Sequence, residues 1–301
     1  MSFQLPVNNL IVPEHVTRGY LNGYDDDFLE TIEQVYSQIQ AQQLSKISDA
    51  PQPGSSLFVL VAGSHGVGKS HLVDRLQGEK REKFVICDVD SILPLFPQVK
   101  SSIETVNQSM VGMAYEHAAY SAEDHHREVD GVLKKYRNAA KYVNDRLMAM
   151  CVENGYNVIV ETNAKTPHLS DFLKGVKDTG VILEGHICEA PLSVKVKGAR
   201  STEHGFSFPE RIIREDHDSM RKNLVRLANA FDQNMTIWWR QGVNAPLAAA
   251  AVCTKDTYTP DLIAKAGLEG HFADNGGHTI ETLVGRRALS IKPVQAPGLA
   301  A

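Results

Sequence analysis

Short apolar runs and helical periodicities alternate along the middle of the chain. Leu57–Ala62 and Lys83–Cys87 are almost continuously apolar over a strand length, and Asn157–Val160 and Val181–Cys188 have a similar character. Strands that carry apolar residues on both sides are typical of a sheet that is covered on both faces. The pattern therefore predicts four buried strands rather than the alternating strands of an exposed sheet.

Apolar residues return every three or four positions in several segments between and after these runs. This period predicts helices over Lys69–Leu76, Arg127–Cys151, Leu169–Lys177, Leu192–Ala199 and Arg214–Phe231. Strands that alternate with helices are joined by right-handed crossovers, so we expect an α/β protein with a mainly parallel sheet. Thr236–Trp239 is interpreted as one more strand.

The two ends of the chain differ from this middle part. Asp27–Gln42 has a helical period with an acidic first turn, and Ser45–Ser56, with two prolines and four serines, is typical of a linker. Residues 241–301 contain glycine- and proline-rich turns. We therefore expect an N-terminal helix and linker over residues 1–56, an α/β core over 57–240 and a C-terminal extension of unknown role over 241–301.

Composition and charge exclude several classes of protein. Of the 301 residues, 43% are apolar and 22% charged, which is typical of a folded globular chain. The net charge of −5 gives no basic field for long nucleic acid. The apolar runs are far shorter than the roughly 18 residues of a membrane span. None of the four cysteines forms a C-x-x-C pair, so we expect a cytoplasmic protein without a zinc or dithiol motif.

A phosphate-binding motif follows the first predicted strand and consists of Gly63, Ser64, His65, Gly66, Val67, Gly68, Lys69 and Ser70. It fits G-x-x-x-x-G-K-[ST], in which backbone N–H groups and a helix N-terminus cradle phosphate oxygens. Lys69 is expected to reach the β- and γ-phosphates, and the Ser70 hydroxyl to bind Mg²⁺. His65 occupies a variable position and is interpreted as merely tolerated. The motif predicts a P-loop NTPase fold of three layers, with helices on both faces of the sheet and with ATP and Mg²⁺ as cofactors.

Polar residues stand where two predicted strands end. Asp88 and Asp90 follow the second strand, and Glu161 opens the polar end of the third, with Asn163 and Lys165 after it. The carboxyl ends of parallel strands face the ligand crevice. Asp90 is expected to accept the proton of an attacking hydroxyl as a general base. Asp88 either orients a metal-bound water or caps a helix.

Two arginines further along the chain are candidates for a phosphate clamp. Arg200 and Arg211 flank a segment that contains glycine and serine, which is typical of a closing lid. Their guanidinium groups would offer planar, permanently charged donors to phosphoryl oxygens. The alternative is a solvated basic helix face. Arg214 is expected to pair with Glu210 or Asp218 on the helix surface.

The order of these motifs resembles the zeta-toxin family of P-loop kinases and the polynucleotide-kinase-like fold around it. The local matches are GSHGVGKS, VICDVDS, NGYNVIVETNAKT and ARSTEHGFSFPERIIREDHD. Zeta toxins are ATP- and Mg²⁺-dependent kinases that phosphorylate the 3′-hydroxyl of UDP-N-acetylglucosamine. The resemblance implies that Asp90 is the base and that Arg200 and Arg211 clamp the phosphoryl group. It also implies a set of substrate-binding residues, namely Asp145, Glu161, Asn163 and Lys165.

The chain departs from the family at the third strand. The family commonly has Glu-Gly-Thr-x-Arg where this chain has Glu161-Thr162-Asn163-Ala164-Lys165, which alters the hydrogen-bonding geometry toward a substrate. The acceptor therefore stays open: NAD, which related effector kinases phosphorylate on the adenosine ribose, another nucleotide, or an RNA end. A non-catalytic ATP-binding interaction module is a further alternative. An antitoxin protein is a candidate partner, in a bacterial cytosol or, for a secreted effector, a host cytosol.

Overall fold

The computed structural model describes residues 19–47, 55–80, 84–116, 122–165, 169–199, 210–231, 234–240, 242, 245, 247–254 and 290–292. The chain divides into two compact units. The first unit comprises residues 1–53 and 83–158, and the second comprises 54–82 and 159–301.

The described part of the chain contains both helices and strands. The helices are α1 (Asp26–Leu44), α2 (Lys69–Lys80), α3 (Val89–Ile92), α4 (Pro97–Glu116), α5 (Ala122–Asn154), α6 (Leu169–Asp178), α7 (Leu192–Ala199) and α8 (Glu210–Ala230), with a 3₁₀ turn at Leu93–Leu95. The strands are β1 (Leu57–Ala62), β2 (Val85–Cys87), β3 (Val158–Thr162), β4 (Ile182–Glu189), β5 (Asn234–Trp239), β6 (Ala248–Thr254) and β7 (Ser290–Lys292).

The first unit is built around helices α1 and α5. Asp25 caps α1, because its Oδ1 accepts a hydrogen bond from the Phe28 backbone N–H at 2.8 Å. One face of α1 buries the apolar residues Phe28, Ile32, Val35, Tyr36 and Ile39. The Arg146 guanidinium of α5 pairs with the Glu33 carboxylate of α1 and lies 3.8 Å from the centroid of the Tyr36 ring. Helix α1 is therefore an integral part of this unit.

The second unit contains a sheet whose strands lie in the order β3, β1, β4, β5, β6, β7. Strands β1 and β4 are parallel, with Leu57 opposite Ile182, and β4 and β5 are parallel, with Glu184 opposite Asn234. The last two strands, β6 and β7, are antiparallel to their neighbours. The parallel part brings the carboxyl ends of β1, β4 and β5 to one edge, where the polar residues described below gather.

The predicted fold class, an α/β P-loop protein with a mainly parallel sheet, is confirmed. All five predicted strands are present, and the five predicted core helices shift by a few residues at their ends. Helix α4 and the antiparallel strands β6 and β7 were not predicted. No helix in the described part of the chain is long and apolar enough to cross a membrane.

Candidate active site

The phosphate-binding loop connects β1 to α2. Gly66 and Gly68 adopt φ values of 75° and 99°, a left-handed conformation that glycine adopts without steric cost. The Gly63 backbone N–H donates to the Thr162 carbonyl oxygen of β3 at 3.1 Å. A Cβ at Gly63 would lie only 2.8 Å from the Cys188 carbonyl oxygen of β4. The loop is therefore built against both neighbouring strands, and two of its glycines are required by its conformation.

Lys69 opens α2 and is buried. Its ammonium donates to the Ser64 carbonyl oxygen and to Asn163 Oδ1, both at 3.4 Å. It also lies 3.7 Å from Glu161 Oε1. These contacts bring the predicted phosphate-binding lysine together with two predicted substrate-binding residues at the polar end of β3.

The Ser70 hydroxyl faces the Glu161 carboxylate. Its Oγ donates to Oε2 at 3.3 Å. Hydroxyl and carboxylate oxygens are hard ligands of the kind that Mg²⁺ takes, and Mg²⁺ usually completes its shell with water and nucleotide phosphates. Among the described residues there is no cluster of three or more His, Cys, Asp or Glu side chains suited to a metal. The oxygens of Ser70 and Glu161 thus fit an Mg²⁺ ion that also binds nucleotide phosphates.

His65 is buried in the loop and bonds to Asp216 and Asn163. Its Nδ1 bonds to Asp216 Oδ2 of α8, and its Nε2 lies 3.2 Å from Asn163 Nδ2. The second carboxylate oxygen of Asp216 forms an ion pair with Lys165. Burial alone would raise the pKa of Asp216, but His65 and Lys165 outweigh it and hold the pKa below its ordinary value. The interpretation of His65 as merely tolerated is therefore wrong.

A second buried cluster lies where β4 ends. The Lys195 ammonium of α7 is fully buried and donates to Glu189 Oε2 at 2.6 Å and to His217 Nδ1 at 2.8 Å. An ammonium can only donate, so His217 Nδ1 accepts. The cluster ties the carboxyl end of β4 to both α7 and α8.

Two residues approach the outer side of the loop. A Cβ on Gly198 of α7 would overlap the Gly66 carbonyl oxygen and lie 3.3 Å from its carbon. Arg240, which follows β5, donates Nη1 to the same oxygen at 3.4 Å and Nε to the Gly242 and Ala245 carbonyl oxygens at 3.1 and 3.0 Å. Helix α7 and the end of β5 therefore constrain the shape of the phosphate-binding loop.

Of the two arginines in the predicted clamp, the structure describes Arg211. Arg211 lies on the surface of α8, 71% exposed, and pairs with Glu215. Arg214 pairs with Glu210 one turn away, one of the two partners expected for it. Arg200 lies outside the described residues. The clamp role of Arg200 and Arg211 stays a prediction.

Three predicted site residues and their neighbours belong to the first unit. Asp88 caps α3, because its carboxylate accepts from the Asp90 and Ser91 backbone N–H groups at 3.1 and 3.0 Å. Asp90 lies in α3 with its Oδ1 3.2 Å from an Arg137 nitrogen, and its side chain is 37% exposed. Asp145 lies on α5, where burial raises its pKa to about 7 against the opposing effects of Lys141 and an Asn144 hydrogen bond.

Several residues of the two buried clusters, and Arg240 beside the loop, are absent from the predicted set of site residues: Glu189, Lys195, Asp216, His217 and Arg240. Asp216 and His217 lie in the quoted motif ARSTEHGFSFPERIIREDHD, and Glu189 directly follows the predicted strand Val181–Cys188. The sequence positions of Asp216, His217 and Glu189 could therefore have indicated that they belong near the site. Arg240 gave none, because only the pairing of β5 with β4 brings its backbone N–H to the Glu189 carbonyl oxygen, at 3.0 Å.

A family model described as "Zeta toxin" matches residues 40–245, more than two thirds of the chain. No curated protein is significantly similar to the chain in sequence. The match covers the phosphate-binding loop, both buried clusters and the predicted lid.

Two solved structures are similar in fold. One is the PezAT chromosomal toxin–antitoxin system of Streptococcus pneumoniae, at 15% identity and a TM-score of 0.48 over 71% of this chain and 80% of that chain. The other is the AvrRxo1-ORF1:-ORF2 complex with ATP, at 15% identity and a TM-score of 0.49 over 83% of this chain and 74% of that chain. At this similarity neither structure assigns a function to the chain.

Proposed function

The chain belongs to the zeta toxin family, and on that premise we propose that it is an ATP- and Mg²⁺-dependent kinase of a small molecule. The observation that carries the proposal is the P-loop itself. The chain has the order of elements that phosphate binding requires. The buried strand β1 leads into a loop with two left-handed glycines, and the loop leads into a helix that begins at Lys69.

Each part of the loop has a role in binding nucleotide. The backbone N–H groups of the loop and the N-terminus of α2 receive phosphate oxygens, and the Lys69 ammonium adds a positive charge. The Ser70 hydroxyl, with the Glu161 carboxylate beside it, would hold Mg²⁺, since both offer oxygen ligands. A bound Mg²⁺ supplies charge neutralisation between phosphate oxygens.

The residues proposed to bind the acceptor substrate include several that follow β2 or lie at the end of β3. Asp90 is proposed as the base that takes the proton of the acceptor hydroxyl, and the exposure of its carboxylate is compatible with contact to a substrate. Glu161, Asn163 and Lys165 are proposed to orient the acceptor, together with Asp145. Arg200 and Arg211 are proposed to close on the transferred phosphoryl group.

The best candidate for the acceptor is the 3′-hydroxyl of UDP-N-acetylglucosamine, as implied by the family. The specific observation that favours keeping a second candidate is the sequence after Glu161, where Asn163 and Lys165 replace the Thr and Arg common in the family. NAD or another nucleotide is that second candidate. An antitoxin that covers the loop is proposed as a partner, and a cytosolic site of action follows from the need for ATP.

The deciding experiment is a product assay. Purified protein is incubated with Mg²⁺ and ATP together with UDP-N-acetylglucosamine, NAD or a metabolite extract, and mass spectrometry detects any acceptor that gains a phosphoryl group. In parallel, calorimetry measures binding of Mg·ATP. Lys69→Ala should weaken binding by about 1.5–3 kcal/mol, because it removes a charge-assisted contact to phosphate.

Matched variants separate binding from chemistry. Arg214→Ala, on the exposed face of α8, should behave as wild type. Asp90→Asn should leave Mg·ATP binding intact and reduce turnover by about 10²–10⁴-fold. If Mg·ATP binds but no metabolite gains a phosphoryl group, the protein is an interaction module. If phosphorylated NAD appears instead of the sugar nucleotide, the first acceptor is wrong.

A further inference from the structure

The variable position of the loop carries a buried histidine with a fixed set of partners. His65 Nδ1 bonds to Asp216, and its Nε2 lies 3.2 Å from Asn163 Nδ2. The Asp216 side chain is fully buried and lies on α8, whereas Asn163 follows β3. His65 therefore links two separate elements to the phosphate-binding loop.

The donors and acceptors of this group allow one proton arrangement. The Lys69 ammonium can only donate, so the Asn163 atom facing it at 3.4 Å is the amide oxygen. The amide nitrogen of Asn163 then faces the imidazole, 3.2 Å from Nε2 and 3.5 Å from Nδ1. Because Nδ1 is bonded to Asp216, the amide donates to Nε2. Nε2 therefore carries no proton, and the single ring proton lies on Nδ1, where it is donated to the Asp216 carboxylate.

We propose that Asp216, His65 and Asn163 form a positioning relay for Lys69. Asp216 fixes the neutral Nδ1–H tautomer of His65, the imidazole fixes the amide of Asn163, and the amide oxygen holds the ammonium against the loop. The relay rests on the proposed function in one respect, namely that the ligand bound by Lys69 is a nucleotide phosphate. His65 and Asp216 act through other residues and are not themselves catalytic.

The charged groups around the relay are consistent with this arrangement. Asp216 is also paired with Lys165, and Lys69 also lies 3.7 Å from Glu161 Oε1. The carboxylate thus faces one ammonium besides the ring. A second proton on Nε2 would point at the amide N–H of Asn163, and the amide would have to turn its nitrogen toward Lys69. If His65 loses the neutral Nδ1–H tautomer, the hydrogen bond between Lys69 and the Asn163 amide oxygen is therefore lost as well.

The ligand-free protein gives a direct readout by NMR. In protein labelled with ¹⁵N in its histidine rings, the His65 signals, assigned by their absence in His65→Gln, should report a neutral ring protonated on Nδ1 at pH 7.5. In Asn163→Asp, which is isosteric, a carboxylate oxygen replaces the donor that faces Nε2. The ring should then carry both protons at the same pH. A neutral Nε2–H tautomer, or a doubly protonated ring, in the wild type would overturn the relay.

Binding of Mg·ATP tests what the relay does. His65→Ala should weaken the affinity about three- to tenfold, the loss expected for one hydrogen-bonded contact. His65→Gln, whose side-chain oxygen can still accept from Asn163, should recover part of that loss. Asp216→Asn should weaken binding to a similar extent. Equal affinities for wild type and His65→Ala, with the folds verified by circular dichroism, would contradict the relay.

The two proposals fail differently in these experiments. If wild type binds no Mg·ATP, the proposed kinase function fails, and the NMR experiment still tests the relay in the free protein. If Lys69→Ala weakens binding as expected but the His65 tautomer is not Nδ1–H, the nucleotide site stands and the relay is wrong. Arg214→Ala serves as the control for both measurements, since Arg214 pairs with Glu210 on the exposed side of the helix that carries Asp216.

Discussion

At the scale of single residues, buried ionisable groups are the most informative feature of this protein. Lys195, Glu189 and Asp216 are all buried and all have charged partners. Such pairs are expensive to desolvate and contribute little net stability, but removal of one partner is strongly destabilising. Their concentration beside the phosphate-binding loop indicates that this region is organised for binding rather than for packing alone.

Asp145 gives a prediction about pH. Burial raises the pKa of its carboxyl from an ordinary 3.8 to about 7, so the folded state binds its proton more tightly than the unfolded state does. The associated stability is fully present below pH 4 and is lost as the pH rises through 7. Asp145→Asn should remove this loss, worth about 4 kcal/mol at pH 8, since each unit by which the pKa is raised corresponds to about 1.4 kcal/mol.

The measurement is urea unfolding between pH 4 and pH 8. The free energy of unfolding of the wild type should fall relative to that of Asp145→Asn across this range. Glu104→Gln, an exposed change on α4, is the control for removal of one negative charge. Parallel pH curves for wild type and Asp145→Asn would show that the Asp145 carboxyl is ordinary.

At the scale of elements, close approach of backbones decides the shape of the loop. Helix α7 can lie against the loop only because Gly198 has no side chain at the point nearest the Gly66 carbonyl. Arg240 holds the same carbonyl from the end of β5. Ala164 adopts a φ of 52°, unusual for a residue other than glycine, between Asn163 and Lys165. The functional residues therefore lie on constrained backbone.

Gly198→Ala tests this contact. The added methyl would overlap the Gly66 carbonyl, so either α7 or the loop must move. We expect a loss of stability of about 1–3 kcal/mol, as for other overpacking changes, and weaker binding of Mg·ATP. Gly78→Ala on α2 is the matched control, because a Cβ there meets nothing within 4 Å. That variant should be more stable by about 0.5–1 kcal/mol. Similar behaviour of both alanine variants would contradict the contact.

At the scale of the whole molecule, the N-terminal helix is a structural part of the first unit. The bond between the Gln43 side-chain oxygen and the Ile86 backbone N–H, at 3.2 Å, also joins α1 to β2. Two roles are open to a helix that precedes the P-loop through a linker: simple packing, or inhibition of the loop in cis. Its buried face supports packing.

Deletion of residues 1–45 should therefore destroy cooperative folding rather than release activity. Each large apolar side chain buried by α1 contributes about 1.5–3 kcal/mol, and the sum over five of them is comparable to the whole stability of a domain. Thermal unfolding followed by circular dichroism measures the effect. Ile32→Ala should give a graded loss of about 2–5 kcal/mol, and the exposed change Glu30→Ala should give almost none. A folded, more active truncated protein would reverse this assignment.

The sequence by itself determined the elements whose signals are local. The apolar run of β1, the glycines of the loop and the period of α5 each reflect a few neighbouring residues, so strand, loop and helix could be predicted together with Lys69 and Ser70. The alanine-rich β6 could not, because alanine favours helices and only pairing with β5 makes this segment a strand.

Only the tertiary structure decided which distant side chains meet. His65 and Asp216 are 151 positions apart, and Arg240 is 174 positions from Gly66. No periodicity or spacing encodes such pairs, because they depend on which strands neighbour each other in the sheet and on how α7 and α8 return to its carboxyl edge. The residue types of the phosphate-binding loop can therefore be predicted from sequence, whereas the contacts that its lysine and histidine make are set by the packing of elements far apart in the chain.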